Sequence, residues 1–213
     1  VVVMNTPGQN SNAVAELAFG MMVYQARNQF NGSSGTELKG KTIGIHAYGN
    51  VGKNVARIAK GFGMNVKAFD PFVKADVIQK DGVEVVESID ALYSSCDYIS
   101  LHIPANDKTK KSINYDLLSK MPATSMLVNT ARKEVIDEEG LKQILAERKG
   151  FSYVSDIAPD MVAELKESFG AQCFFTPKKM GAQTAEANIN AGIAAAEQII
   201  AFLEKGDTTF KVN

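Results

Sequence analysis

The stretch TIGIHAYGNVGKNVARIAKGFGMNVKAFD, from Thr42 to Asp70, restricts what this chain can fold into more than any other. A short β-branched run at 42–46 reads as a strand, AYGNVG as a tight loop, 51–62 as a helix, and 65–69 as a second strand ending on an acid. In such a unit Gly49 lets a ligand approach the backbone, and Gly52 lets the helix pack closely on the strand. The helix N-terminus offers free N–H groups and the positive end of a dipole to an anion. Asp70 follows Gly52 by 18 residues, where a carboxylate can meet both hydroxyls of a ribose. The pattern is the dinucleotide-binding G-x-G-x-x-G with one departure: Ala47 stands at the first glycine, the position that makes the tight turn.

The expected cofactor contacts in this loop are Tyr48, Gly49, Asn50 and Val51, with the amides between 49 and 52 gripping a diphosphate. Asp70 would repel a ribose 2′-phosphate, and Pro71 and Phe72 bring no cation to hold one, so the unit favours NAD over NADP. His46 borders the loop with no acid partner identifiable, and reads as the buried end of a strand.

The rest of the chain repeats the alternation. Strands are expected at 83–86, 97–103, 125–129, 151–155 and 173–175, with helices at 88–95, 114–119, 137–148 and 161–169. This is the signature of βαβ units, hence a doubly wound α/β fold of Rossmann type, with helices on both faces of a parallel sheet. Two long helices flank it. One spans 12–27 behind the capping residues of GQNSN, with an apolar stripe of Val14, Leu17, Ala18, Met21 and Met22. The other spans 183–204 and ends at Gly206 and Asp207. NGSSG at 31–35 is a turn-forming connector. Apolar residues on both sides of the first helix, notably Met21, Met22 and Tyr24, point to a partner surface there.

With 213 residues the chain holds one well-buried domain and room for a piece of a second. A net charge of −1 gives no electrostatic case for nucleic acid or an anionic membrane. No apolar run approaches the roughly 18–20 residues that span a bilayer, and no signal-peptide pattern opens the chain. Cys96 and Cys173 form no metal-ligand spacing and read as reduced, buried thiols of a cytoplasmic protein. The opening VVVMNTPG begins inside a strand-like run without an initiating Met, so further sequence is expected before Val1.

Several ordered motifs resemble those of the D-isomer-specific 2-hydroxyacid dehydrogenases over essentially the whole chain. NTPGQNSNAVAE is similar to the segment entering that family's dimer-forming helix, and CDYISLHIPANDKTK to its aD-x-x-x-LH-x-P-x-T strand and loop. MPATSMLVNTARKE resembles M-K-x-G-x-x-x-x-N-x-[AS]-RG, with Lys133 where glycine is usual. VSDIAPD resembles LDV-x-x-x-EP, and FFTPKKMGAQTAE resembles x-TPHIGG-x-T-x-E. The resemblance implies a division into a leading segment and dimer-type helix (1–28), an NAD-binding domain (29–182), and a C-terminal helix (183–213) returning toward a substrate domain that is mostly absent. It also implies a homodimer and an NAD-dependent oxidoreductase acting on a small, phosphorylated 2-hydroxy acid. A glyoxylate or hydroxypyruvate reductase, or a non-catalytic NAD-responsive module, are the alternatives.

Such an enzyme must orient a carboxylate, move a hydroxyl proton and face the nicotinamide toward C2. Arg132 follows the 125–129 strand at the carboxyl end, where a guanidinium can hold the carboxylate bidentately; the bland reading is a surface arginine paired with an acid such as Glu134. The family's acid/base histidine matches Lys179, with Lys178 its neighbour. Burial, Arg132 and Lys178 should depress the Lys179 pKa. The supporting glutamate of the family falls on Met161, leaving Asp160, preferred, or Glu164 as its substitute. By resemblance Asp156 holds the nicotinamide carboxamide, His102 and Pro104 lie beside the cofactor, Thr130 and Ala131 line the nicotinamide pocket, and Gly181 is a further cofactor contact.

Overall fold

The computed structural model describes all residues, 1–213. Its centre is a parallel sheet of 7 strands in the order β3-β2-β1-β4-β5-β6-β7. These are β1 (Thr42–His46), β2 (Asn65–Phe69), β3 (Glu84–Val85), β4 (Tyr98–Leu101), β5 (Met126–Asn129), β6 (Ser152–Ser155) and β7 (Cys173–Phe175). The helices are α1 (Ser11–Ala26), α2 (Asn50–Gly61), α3 (Ala75–Lys80), α4 (Ile89–Ser94), α5 (Tyr115–Leu118), α6 (Glu138–Glu147), α7 (Val162–Phe169) and α8 (Ala185–Lys205). The strand order reverses between β1 and β4, and at such a reversal two adjacent loops diverge and leave a crevice at the carboxyl ends of the strands.

Both faces of the sheet are covered, which is why β4 and β5 are buried at every residue and read as continuous apolar runs. One apolar layer joins Ile43 and Ile45 of β1 to Val55 and Ala59 of α2 and to Phe19, Met21 and Met22 of α1. The other joins Ile99 and Leu101 of β4 to α4, α5, α6 and α7 through Leu92, Leu118, Ile144 and Leu165. Cys96 and Cys173 belong to this second layer; burial pushes their thiols up to about 11 and about 12, so neither is a ready thiolate.

Two sequence expectations need correction here. Met21 and Met22 are 2% and 0% exposed, inside the domain, and Tyr24 packs edge-on against Phe30 and Phe174 with ring centroids 5.2 and 4.8 Å away. Met21 and Met22 form no free partner surface, since α1 lays them against the sheet and α2. The sequence reading also missed α3. This helix has no side-chain N-cap and is anchored by one fully buried residue, Ile78, so neither capping nor periodicity announced it.

Residues 28–30 hold a second surprise, because Asn28, Gln29 and Phe30 all take positive φ, at 50°, 56° and 58°. L-residues resist that region at about 1–2 kcal/mol each. The side-chain amide of Gln29 offsets the cost by donating to the carbonyls of Gly170 and Cys173, at 2.9 and 3.2 Å.

The glycine loop forms as its sequence dictates. A Cβ on Gly52 would lie 2.5 Å from the Ala47 carbonyl oxygen and 3.1 Å from Ile45, so α2 can approach β1 only through glycine. Ala47 itself has φ +80°, in the left-handed region where a methyl group is strained. Ala47→Gly should therefore stabilise the protein by about 0.5–1 kcal/mol in urea unfolding, the relief of strain exceeding the added chain entropy. A loss of stability would show that the turn is not strained.

Candidate active site

At the β1–α2 junction the amides of Asn50, Val51 and Gly52 find no acceptor in the protein. No acidic residue occupies the first turn of α2, so nothing internal competes for the positive end of its dipole. A Cβ on Gly49 would meet nothing within 4 Å; the protein has no packing need for glycine there, but a group approaching the loop from outside does. At the end of β2 Asp70 accepts from the amide of Tyr48 at 2.7 Å and of Phe72 at 2.8 Å. Its Oδ1 also accepts from the Val73 amide at 3.2 Å, so the carboxylate is held facing the loop with room for about one further donor. The Tyr48 side chain turns the other way: it is fully buried and its hydroxyl donates to Asp81 at 3.0 Å. Of Tyr48, only the backbone belongs to the loop surface.

Further along the same edge lies a cleft of about 370 Å³. His102 and Pro104, beyond β4, form one wall; Thr130, Ala131 and Arg132, beyond β5, form the floor; Asp156 and Lys179 come from beyond β6 and β7. Val51 joins the glycine loop to this space. The hydroxyl of Thr130 is buried without a hydrogen-bond partner, a costly state for a polar atom. Asn129, which the sequence reading did not single out, closes the turn that presents Arg132. It accepts from the Ala131 amide at 2.9 Å and donates to the Arg132 carbonyl at 3.0 Å. An asparagine at a strand terminus, two residues before an alanine and three before an arginine, was the available signal.

The charged groups divide sharply. Arg132 donates to the Ala131 carbonyl at 2.7 Å but forms no ion pair, with Glu134 or any other acid. Lys179 lies in no ion pair either. Its pKa is lowered by partial burial and by Arg132, while Asp156 and Glu134 oppose the shift; Lys178, expected to contribute, is not among the causes. Asp160 is not in this cleft. It pairs with Lys133, its amide is held by Glu138 at 2.8 Å, and its side chain is 78% exposed. Glu164 pairs with Lys142. Neither candidate for a supporting acid is thus placed to act on Lys179, because each is held by its own lysine, and Met161 at the family's glutamate position packs against the apolar layer.

Both histidines are neutral. Burial lowers His46 to about 4, partly opposed by Asp70, and its Nδ1 lies 3.2 Å from the Tyr93 hydroxyl. Burial and neighbouring His46 lower His102 to about 3, and its Nε2 lies 3.0 Å from the Ser100 hydroxyl.

An open phosphate-sized loop, unpaired helix amides, a poised carboxylate and an orphaned hydroxyl at a sheet crevice fit a dinucleotide, and define a nucleotide-binding α/β domain of dehydrogenase type. The chain belongs to the D-isomer specific 2-hydroxyacid dehydrogenase, NAD binding domain family, whose model matches residues 13–177. It is 34% identical to a D-3-phosphoglycerate dehydrogenase of Methanocaldococcus jannaschii, over 93% of this chain and 40% of that protein. It is 34% identical to a hydroxypyruvate reductase of Thermotoga maritima, over 93% of this chain and 69% of that one. The crystal structure of NAD+-bound 3-phosphoglycerate dehydrogenase in Entamoeba histolytica superposes with TM-score 0.90 at 47% identity, covering 100% of this chain and 68% of that one.

The histidines make a pH prediction. Their folded pKa values lie below the unfolded value near 6.5, so the stability they contribute is complete above about pH 6.5 and is lost as pH falls toward 4. Urea unfolding at pH 5.5 against pH 7 should show a loss of about 1 kcal/mol per histidine, and His46→Gln should remove about half of that pH dependence. An unchanged slope in the variant would show that His46 titrates normally.

Proposed function

We propose that this chain is the cofactor-binding part of a longer NAD-dependent oxidoreductase of D-2-hydroxy acids. The proposed substrate is D-3-phosphoglycerate, oxidised at C2 to 3-phosphohydroxypyruvate, the first step of serine biosynthesis. The observation that carries the proposal is that Arg132 and Lys179 share one cleft, at the carboxyl edge of the sheet, and neither has an acid of its own. Two unneutralised cations beside a dinucleotide loop suit a small carboxylate substrate. The phosphoglycerate assignment rests on likeness to the Methanocaldococcus and Entamoeba proteins; likeness to the Thermotoga protein supports a second reading, reduction of hydroxypyruvate or a related 2-oxo acid.

In the proposed mechanism the Arg132 guanidinium holds the substrate carboxylate bidentately and polarises the C2 oxygen. Protonated Lys179 donates to that oxygen in reduction, and its neutral form accepts the hydroxyl proton in oxidation. The bound nicotinamide supplies or accepts the hydride. A lowered lysine pKa brings both forms nearer to working pH; reduction should fade, and oxidation rise, as pH climbs through it. Asp70 takes the adenosine ribose, the 49–52 amides the diphosphate, and the cleft between His102 and Thr130 the nicotinamide.

The other half of the active site lies, in this reading, in the part of the protein that the relatives have beyond the matched region. The exposed apolar side of α8, with Ile189, Ile193, Ile200 and Leu203 53–75% exposed, suits contact with that part. A cytoplasmic homodimer is retained in the proposal on family resemblance, with its contact away from Met21 and Met22.

The test is turnover of the full-length protein across a panel of 2-hydroxy and 2-oxo acids with NAD(H), alongside Lys179→Met. The variant should lose about 10²–10⁴-fold in kcat while its NADH affinity, measured by calorimetry, stays within about threefold. Retained turnover would remove Lys179 from the mechanism. NADH binding without turnover on any acid would establish a binding module instead.

A further inference from the structure

We propose that Asn129 is a positioning residue for Arg132: with Tyr153 as its anchor, its side-chain amide shapes the turn from which the guanidinium enters the cleft. The proposal rests on reading Arg132 as the holder of the substrate carboxylate. Asn129 ends β5 and is 0% exposed. Its Oδ1 accepts from the Ala131 amide at 2.9 Å, an Asx-turn. Its Nδ2 donates to the Arg132 carbonyl at 3.0 Å and to the Tyr153 hydroxyl at 3.3 Å. Two N–H groups thus meet two acceptors and the oxygen meets one donor, so no proton is shared. The partners also fix which way the amide points, because a flip would face its oxygen to the Arg132 carbonyl and its NH2 group to the Ala131 N–H.

The two backbone bonds hold the peptide groups on either side of the one that joins Ala131 to Arg132. The carbonyl of that middle peptide accepts from Arg132 Nη1 at 2.7 Å. The guanidinium therefore rests on a carbonyl whose direction Asn129 sets from both sides, and a twist of the turn would carry it along. Arg132 itself has extended backbone, φ −147° and ψ 144°, and belongs to neither β5 nor the 3-10 turn that follows, so no ladder fixes it. The anchor is rigid. Tyr153 is 1% exposed, lies on the neighbouring β6 and packs edge-on against Phe175 of β7, with ring centroids 5.7 Å apart.

The choice of amide over acid fits this task. An aspartate at 129 would keep the Ala131 bond but lose both donors and set an oxygen against the Arg132 carbonyl. It would also bring a buried negative charge close to a cation that the cleft leaves without an ion pair. Asparagine supplies the shape without the charge. A side chain that only finished the end of β5 would need the Ala131 bond alone; the reach to Arg132 and Tyr153 goes further.

The test is Asn129→Ala in the full-length protein, read by amide exchange at Ala131 and by calorimetry, first with NADH and then with oxalate on the NADH complex. Exchange at Ala131 should accelerate by about tenfold or more. The oxalate Kd should weaken by about tenfold while the NADH Kd stays within about threefold. Unchanged exchange, unchanged oxalate affinity, or equal weakening of both ligands would overturn the proposal. If the variant does not fold, Tyr153→Phe replaces it: oxalate binding weakened by about threefold or more at constant NADH affinity supports the anchored amide, and unchanged oxalate binding overturns it. Arg132→Met separates the two readings. Oxalate binding kept in that variant would refute Arg132 as the carboxylate holder, while exchange at Ala131 in Asn129→Ala would still decide whether the amide holds the turn.

Discussion

The approach of α2 to β1 is the constraint on which the rest depends. Gly52 lies against the Ala47 carbonyl with no room for a side chain, and that contact fixes where the helix begins and which way its first amides point. Loosening it by a few ångströms would move the anion-binding end of α2 out of line with Asp70, which is fastened to the same loop through the Tyr48 amide. The strain at Ala47 follows from the same contact. The chain must reverse direction within residues 47–49, between β1 and α2, so that the helix can return along the strand, and the left-handed φ of Ala47 makes that turn. The site tolerates alanine because the surrounding strand hydrogen bonds, including the Ala47 amide on the Phe69 carbonyl at 3.0 Å, determine the turn.

How far the sequence could be read follows from what produced each feature. The seven strands were legible because both faces of the sheet are buried, so β-branched and apolar residues cluster in short runs bounded by turn signals. Their ends agree to within a residue or two because polar residues mark where burial stops. α3 was not legible, since a short uncapped helix held by Ile78 leaves almost no periodicity to detect. The left-handed turn at 28–30 was also hidden, because what holds it is a long-range bond from Gln29 to carbonyls about 140 residues further along. The failed partner surface on α1 has the opposite cause. A helix packed between a sheet and a second helix is apolar on two sides, and sequence alone cannot distinguish that from one apolar side turned outward.

Within the cleft, His102, Pro104, Thr130, Ala131, Arg132, Asp156 and Lys179 were foreseeable, since a doubly wound sheet places its loops at one edge, whereas Ile103 and Ala182 were not singled out. Arg132, Asp156 and Lys179 come together there from three separate loops. What the pattern could not supply was the pairing of charges. Asp160 adjoins the right motif but is drawn to Lys133, the very residue that departs from the family's glycine. Glu138 reinforces that choice by taking the amides of Asp160 and Met161 at 2.8 and 2.9 Å. The acid expected beside Lys179 is thus missing from the cleft, because Lys133 holds Asp160 outside it, a pairing visible only in three dimensions.

That loss is intelligible if a lysine does the work of a histidine. An imidazole acting as acid and base needs a partner to fix its tautomer and to stabilise its cation. An ammonium has no tautomers, and a carboxylate beside it would raise a pKa that already lies well above neutral. Removing the acid while keeping Arg132 close moves the lysine in the useful direction, and burial adds to the shift. Asp156 opposes it, while its two oxygens accept the Met180 and Gly181 amides of the turn that carries the lysine. The cleft therefore balances two demands on one carboxylate, shape against charge.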